Sequence, residues 1–171
     1  ETWKYTASRV VTEGQYTNIG TTTGTPVDGN NVPIPGATNP TDSDPANHIG
    51  YRTSIDIEKY VQGQDADSPT GPYLVVGSTA TFTYDVKNTG TVGLSTVVVS
   101  DDNGTPGNPA DDFAPTAVVS GGFNVGDTIG KDCKLDPGEA WRYTAGKVAG
   151  PETGGSSTAP NSALLEQFLM I

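Results

Sequence analysis

A single cysteine, a single histidine and a single methionine are spread over 171 residues. One cysteine excludes an internal disulfide framework, so any stability needed outside a cell must come from another source. The one histidine, His48, lies in a stretch rich in Pro, Asn and Asp. Neither a Ser-His-Asp triad nor a conventional zinc site can be assembled around it. Cys133 has no histidine near it in sequence and reads as a bystander rather than a nucleophile. No enzyme signature remains, and the expectation is a protein that is not an enzyme. Positive charge is scarce too: 9 Lys and Arg stand against 20 Asp and Glu, for a formal charge of −11. That balance argues against nucleic acid and against anionic membrane surfaces as partners. No apolar run is long enough to span a bilayer, so membrane insertion is not expected. No leader is recognisable either, as expected of a mature or excised fragment.

What is present in quantity is Gly, Pro and Thr. Hydrophobic residues make up 33%, with 22 Gly and 13 Pro, a balance that suits a β-sandwich with long loops better than a helical fold. The length allows one domain, or one domain plus a piece. The chain also echoes itself. Glu1, Trp3, Tyr5, Thr6 and Ala7 recur as Glu139, Trp141, Tyr143, Thr144 and Ala145, a constant offset of 138 residues. A fixed-period echo is the signature of repeat architecture. After the first copy comes Gly14-Gln15-Tyr16-Thr17-Asn18-Ile19, a good strand; after the second comes only a Gly, Pro and Ser-rich stretch.

Taken in order, Trp3, Tyr5 and Ala7 alternate with polar residues and read as a strand. With a turn at Gly14 and the strand from Gln15 onward, residues 1–27 read as a hairpin. Residues 28–54 lack periodicity and read as a linker. Ile55 to Tyr60 alternates and opens a new module. Ala80, Phe82, Tyr84 and Val86 share one face of the clearest strand. Leu94 to Ser100 and Ala114 to Val119 read as further strands, and Glu139 to Val148 closes the series at residue 150. Residues 151–171 are a tail, apolar from Ala163 to Ile171. Short strands between turn signals imply an all-β Greek-key sandwich, here incomplete at its C-terminal end.

Several segments together carry a resemblance: Ile55-Asp56-Ile57-Glu58-Lys59-Tyr60, Val86-Lys87-Asn88-Thr89-Gly90, Val99-Ser100-Asp101-Asp102-Asn103-Gly104 and Leu135-Asp136-Pro137-Gly138-Glu139-Ala140-Trp141. They resemble the immunoglobulin-like repeats of large prokaryotic surface and adhesin proteins, over roughly residues 1 to 149. The resemblance implies an immunoglobulin-like sandwich, an extracellular or cell-surface location, a structural role in tandem arrays, and bound calcium.

Three chemistries follow as expectations. Calcium takes oxygens from carboxylates, amides and carbonyls on flexible loops, and Asp65, Asp67, Asp101, Asp102, Asn103, Asp111, Asp112, Asp127, Asp132, Asp136 and Glu139 supply them. The run from Leu135 to Glu139 resembles the close of an EF-hand loop, although Asp127 to Glu139 is one residue too long and Cys133 sits where Gly is wanted. Second, a module lacking its last strand has an open sheet edge, and open edges recruit strands from other chains. The front hairpin, with Trp3, Tyr5, Tyr16, Asn18 and Ile19 as contact residues, would complete the next copy head to tail. A host or environmental surface is a further partner. Third, surface modules of the immunoglobulin-like kind sometimes join a first-strand Lys to a last-strand Asn; Lys59 and Asn18 sit on the matching strands. The alternative to a filament is a ligand- or carbohydrate-binding module, in which Trp3, Tyr5, Trp141 and Tyr143 stack on sugars, though alternating aromatics are more often core.

Overall fold

The computed structural model describes residues 1–149. Among them the chain is strand and loop without helix, and no helix crosses a membrane. The strands are β1 (Gly14–Thr23), β2 (Thr41–Gly50), β3 (Ile55–Val61), β4 (Gln64–Asp65), β5 (Thr79–Asn88), β6 (Thr116–Ala117), β7 (Val119–Ser120), β8 (Phe123–Asn124) and β9 (Ala140–Val148). They form three separate antiparallel sheets: β1 with β2, a five-stranded sheet in the order β4-β3-β5-β9-β6, and β7 with β8.

The five-stranded sheet follows from period-two alternation. On β5, Ala80, Tyr84, Val86 and Asn88 are buried and Phe82 is half-buried, while Thr79, Thr81 and Lys87 face out. On β9, Trp141 and Tyr143 take the same face, and the register sets Tyr84 opposite Tyr143 and Val86 opposite Trp141. Val99 and Leu135 are buried across this face, with Leu94, Val97 and Ala117 packed at its margin. Removing Val86 or Leu135 from water contributes roughly 2 kcal/mol each. Bridges Leu94↔Leu135 and Asp101↔Phe113 tie down the two ends of the segment between Leu94 and Asp101. Gly121 (φ 64°) and Gly122 (φ 91°) form the two-residue turn between β7 and β8, with the positive φ at both positions that a type I′ hairpin requires.

Asn88 locks the far end of β5. It is fully buried, and its Nδ2 donates to the carbonyls of Val92 and Leu135, both at 2.8 Å. Its Oδ1 accepts the Gly90 N–H at 2.8 Å. A buried amide with all these partners is stable there; removing it takes away the Val92 carbonyl's partner and leaves the Leu135 carbonyl and the Gly90 N–H with their single backbone bonds, to the Leu94 N–H and the Ser54 carbonyl.

The front of the chain departs from expectation. Residues 1–13 carry no strand, and Trp3 and Tyr5 are 72% and 83% exposed. Their echo in β9 is held by the ladder to β5, and among the described residues no strand pairs with residues 1–10. The hairpin is instead β1 with β2, from Gly14↔Gly50 to Thr23↔Thr41, so the stretch 28–54 contains a strand of ten residues rather than only linker. β2 reads Thr-Asp-Ser-Asp-Pro-Ala-Asn-His-Ile-Gly and has no apolar alternation to announce it; its register comes from backbone pairing and from Thr17 Oγ1 donating to Asn47 Oδ1 at 2.7 Å. Leu94 to Ser100 forms no ladder. The predicted strand over Ala114–Val119 is broken into β6 and β7, with the Val118 N–H turned to the Arg142 carbonyl at 2.8 Å. The apolar tail 163–171 and the rest of 151–171 lie outside the described residues, as does Gly150.

Replacing Asn88 with Ala is expected to lower the unfolding free energy by about 3 kcal/mol in urea denaturation of the full chain. Lys87→Ala, one residue away on the exposed face, should stay within about 0.5 kcal/mol.

Candidate functional site

Paired residues on neighbouring antiparallel strands share a face. β3 sets Ile55 opposite Asn88, Ile57 opposite Val86 and Lys59 opposite Tyr84, so all three belong to the face that carries the core. Yet Ile55 is 54% exposed and Ile57 52%. Among the described residues, the core-bearing face is only half covered along β3. The segment lying across the sheet has the matching gap. Val97 is half-buried, Val98 exposed and Val99 buried, a strand-like alternation. Among the described residues, nothing from Ser95 to Ser100 makes a backbone–backbone hydrogen bond, although Leu94 and Asp101 on either side do.

At the end of this bare strip Asp101 is buried beneath Lys59 and Tyr84. Lys59 Nζ is 2.6 Å from Asp101 Oδ2 and lies 4.8 Å and 5.6 Å from the ring centroids of Phe82 and Tyr84. The Tyr84 hydroxyl donates to the same Asp101 oxygen, and the Asn103 N–H donates to Oδ1 at 2.9 Å. Burial alone would raise the Asp101 carboxyl, but hydrogen bonds from Lys59, Tyr84 and Asn103 reverse this and hold it below the usual carboxylate range. Burial, then the bond to Asp101, pushes the Tyr84 phenol up. Asp101 is thus an anion tied to three donors of its own chain.

On the opposite face of β3, Glu58 meets Asp65 and Asp67, with carboxylate oxygens within 4.8 Å of one another. Repulsion from Asp65, then burial, then Asp67 and Asp56 raise the Glu58 carboxyl. A divalent cation would relieve this crowding. Glu58 was not among the expected ligands, because it lies within a strand rather than an acidic loop; its alternation with Lys59 is the only signal.

The remaining acidic residues are largely engaged with their own loops. Asp102 Oδ1 accepts the Gly104 N–H at 3.0 Å, and Asp111 accepts from Thr105 Oγ1 at 2.7 Å and from Asn103 Nδ2 at 3.5 Å. Asp112 is exposed. Asp132 pairs with Lys134. Glu139 is buried. Its Oε1 accepts the N–H groups of Thr128 and Ile129, both at 2.6 Å, and the Thr128 hydroxyl; Oε2 accepts the Asp136 N–H at 3.0 Å. Burial would raise its carboxyl, but the backbone donors of Ile129, Asp136 and Thr128 outweigh that and lower it. A cation closing an EF-hand-like loop on Glu139 would have to displace those donors. Asp127 is buried, with Oδ2 accepting the Cys133 N–H at 3.1 Å and Oδ1 without a partner. Asp127, Asp132, Asp136 and Glu139 do not converge on one point.

Of the expected contact residues, Tyr16 is half-buried under the Arg9 guanidinium, 3.8 Å from its ring centroid, and beside His48. Asn18 and Ile19 are exposed on β1. Lys59 and Asn18 stand on different sheets. Trp141 and Tyr143 are core, so of the four aromatics weighed for sugar stacking only Trp3 and Tyr5 are free to meet a ligand. No family model, no curated protein and no solved structure matches the chain.

Glu139→Ala is expected to cost roughly 3 kcal/mol, because it strands several N–H donors at once. A carboxyl held low in the folded chain stabilises it fully above the unfolded value and loses that effect as pH falls through the folded value. The difference in unfolding free energy between the parent and Glu139→Gln should therefore shrink on going from neutral pH to about pH 3. A gap independent of pH would contradict the assignment.

Proposed function

We propose that this chain is a structural building block of an extracellular filament or surface adhesin, non-enzymatic, whose copies join head to tail by β-strand donation. In this reading the five-stranded sheet and the strip across it are an immunoglobulin-like Greek-key sandwich whose second layer is underfilled. One observation carries it: Ser95–Ser100 has valines in or against the core and no backbone partner, beside a β3 face that is half bare. A segment that anchors Val97 and Val99 in the core and leaves its own N–H and C=O groups without backbone partners can take up another strand. The chain also offers the complement, since among the described residues β1 and β2 pair only with each other, and an isolated two-stranded hairpin is marginal in water. The echo of β9 at residues 1–10 makes β1 and β2 the strands that follow a β9-type strand in the repeat. A hairpin docked on a different surface of the next copy is a heterologous contact, which propagates rather than closes.

In the same reading Glu58, Asp65 and Asp67 hold calcium and stabilise the β3–β4 end of the module. Exposed Trp3 and Tyr5 favour a second reading, a carbohydrate- or ligand-binding module; retention on a glycan array without self-assembly would select it.

Electron microscopy and light scattering of the full chain should show linear assemblies, and a chain lacking residues 1–50 should remain monomeric. Assemblies formed equally well by the truncated chain would overturn strand donation. Calcium should raise the melting temperature by mass action, and Glu58→Gln with Asp67→Asn should remove most of that rise. A midpoint unchanged between calcium and EDTA would overturn the calcium assignment.

A further inference from the structure

The two outer edges of the β1–β2 hairpin differ. In an antiparallel pair, opposite residues alternate between those that exchange N–H···O bonds and those whose backbone groups point away from the partner strand. The Gly24 N–H sets the phase here, donating to the Pro40 carbonyl at 3.0 Å one step beyond Thr23↔Thr41. From there, every second pair between Thr22↔Asp42 and Gly14↔Gly50 bonds across the hairpin. The pairs between them, Thr21↔Ser43, Ile19↔Pro45 and Thr17↔Asn47 included, turn their N–H and C=O groups outward. Pro45 therefore stands in the middle of the outer edge of β2 with no N–H to offer, and a proline so placed interrupts any further ladder. β1 has no such interruption. It runs for ten residues, Gly14–Thr23, without a proline or a charged side chain, and among the described residues no strand pairs with its outer edge.

Charge selects the same edge. Two copies at −11 each repel, so a join between them favours uncharged segments. Ser95–Ser100 is uncharged and runs directly into Asp101 and Asp102. β2 would bring Asp42 and Asp44 towards those carboxylates, and like charges on neighbouring strands destabilise a pairing. β1 brings none. Resting on strand donation as the mode of assembly, we propose that β1 alone is the donated edge. The outward backbone groups of Thr17, Ile19 and Thr21 in one copy pair with the strip of a second copy, along its regular part after Thr96 (φ 56°). β2 lies on the far side and closes the sheet with Pro45. Each copy then carries one donor edge and one acceptor strip, so the assembly grows as an unbranched line.

Two single prolines in the full chain, Thr21→Pro and Ser43→Pro, test the choice of edge. The two residues face each other at a pair whose N–H groups point outward, so each substitution removes one outward donor and leaves the bonds between β1 and β2 in place. Light scattering and electron microscopy read assembly, and hydrogen exchange reads the amides. Thr21→Pro is expected to lose the linear assemblies, and Ser43→Pro to form them like the parent. In parent assemblies the Thr17, Ile19 and Thr21 amides should be protected relative to the monomer, while the Ser43, Asn47 and Ile49 amides exchange freely. Assembly of Thr21→Pro at the parent's level would overturn the assignment of β1 and leave donation standing, as would protection of the β2 amides in place of those of β1. Should neither variant assemble, the Asn18 and His48 amides, which bond within the hairpin, separate two cases. Their protection in Ser43→Pro means an intact hairpin that needs β2, which contradicts the assignment; their free exchange means a lost hairpin, and the pattern of protected amides in the parent then decides alone. A parent that forms no assemblies would overturn donation and the choice of edge together.

Discussion

Ser95–Ser100 buries Val99 and half-buries Val97 against the sheet, yet among the described residues none of its backbone groups pairs with backbone. Val99 is in the core and Val97 packs against it, so the segment cannot leave the sheet without exposing them. Its N–H and C=O groups are meanwhile open among the described residues. The bridges at Leu94 and Asp101 hold both ends in place, and Thr96, with φ 56°, bends the backbone before Val97. Backbone groups without protein partners beside a half-covered sheet face leave room for a further strand.

The buried carboxylate at the end of the strip is organised by the same packing. Asp101 is fixed by the Tyr84 hydroxyl from β5, the Lys59 ammonium from β3 and the Asn103 N–H from its own loop. Only the Asp101 half of its ion pair is buried, and removing Lys59 is costly because that carboxylate loses its compensating charge. The pair therefore joins the position of β3 to that of the strip, and a hairpin docked on the strip would press on both.

How much of this is legible in the sequence differs from element to element. β3, β5 and β9 show themselves through alternation, with Ala80, Phe82, Tyr84 and Val86 or Trp141 and Tyr143 on one face. β2 does not, because a two-stranded hairpin with little to bury has no need of apolar alternation and its Thr, Asp and Asn residues read as loop. Residues 1–7 carry the pattern of β9 without its β5 partner, so the same sequence that forms a strand at 140–148 is left unpaired at the front. Pattern supplies the side-chain face, and the ladder must come from elsewhere. The acidic loops are ambiguous for a different reason. Asp and Asn close turns by accepting backbone N–H groups and also bind calcium through the same oxygens. Only geometry separates Asp102, Asp111 and Glu139, which serve their own loops, from Asp65 and Asp67, which converge with Glu58.

Hydrogen exchange at the backbone amides of Ser95–Ser100 tests the central claim most directly. In the full chain at assembling concentration these amides should be strongly protected. In the chain lacking residues 1–50 they should exchange freely, while Tyr84 and Tyr143 amides in the β5–β9 ladder stay protected in both. Equal protection of Ser95–Ser100 with and without residues 1–50 would show that the strip is already paired by its own chain, and would contradict strand donation.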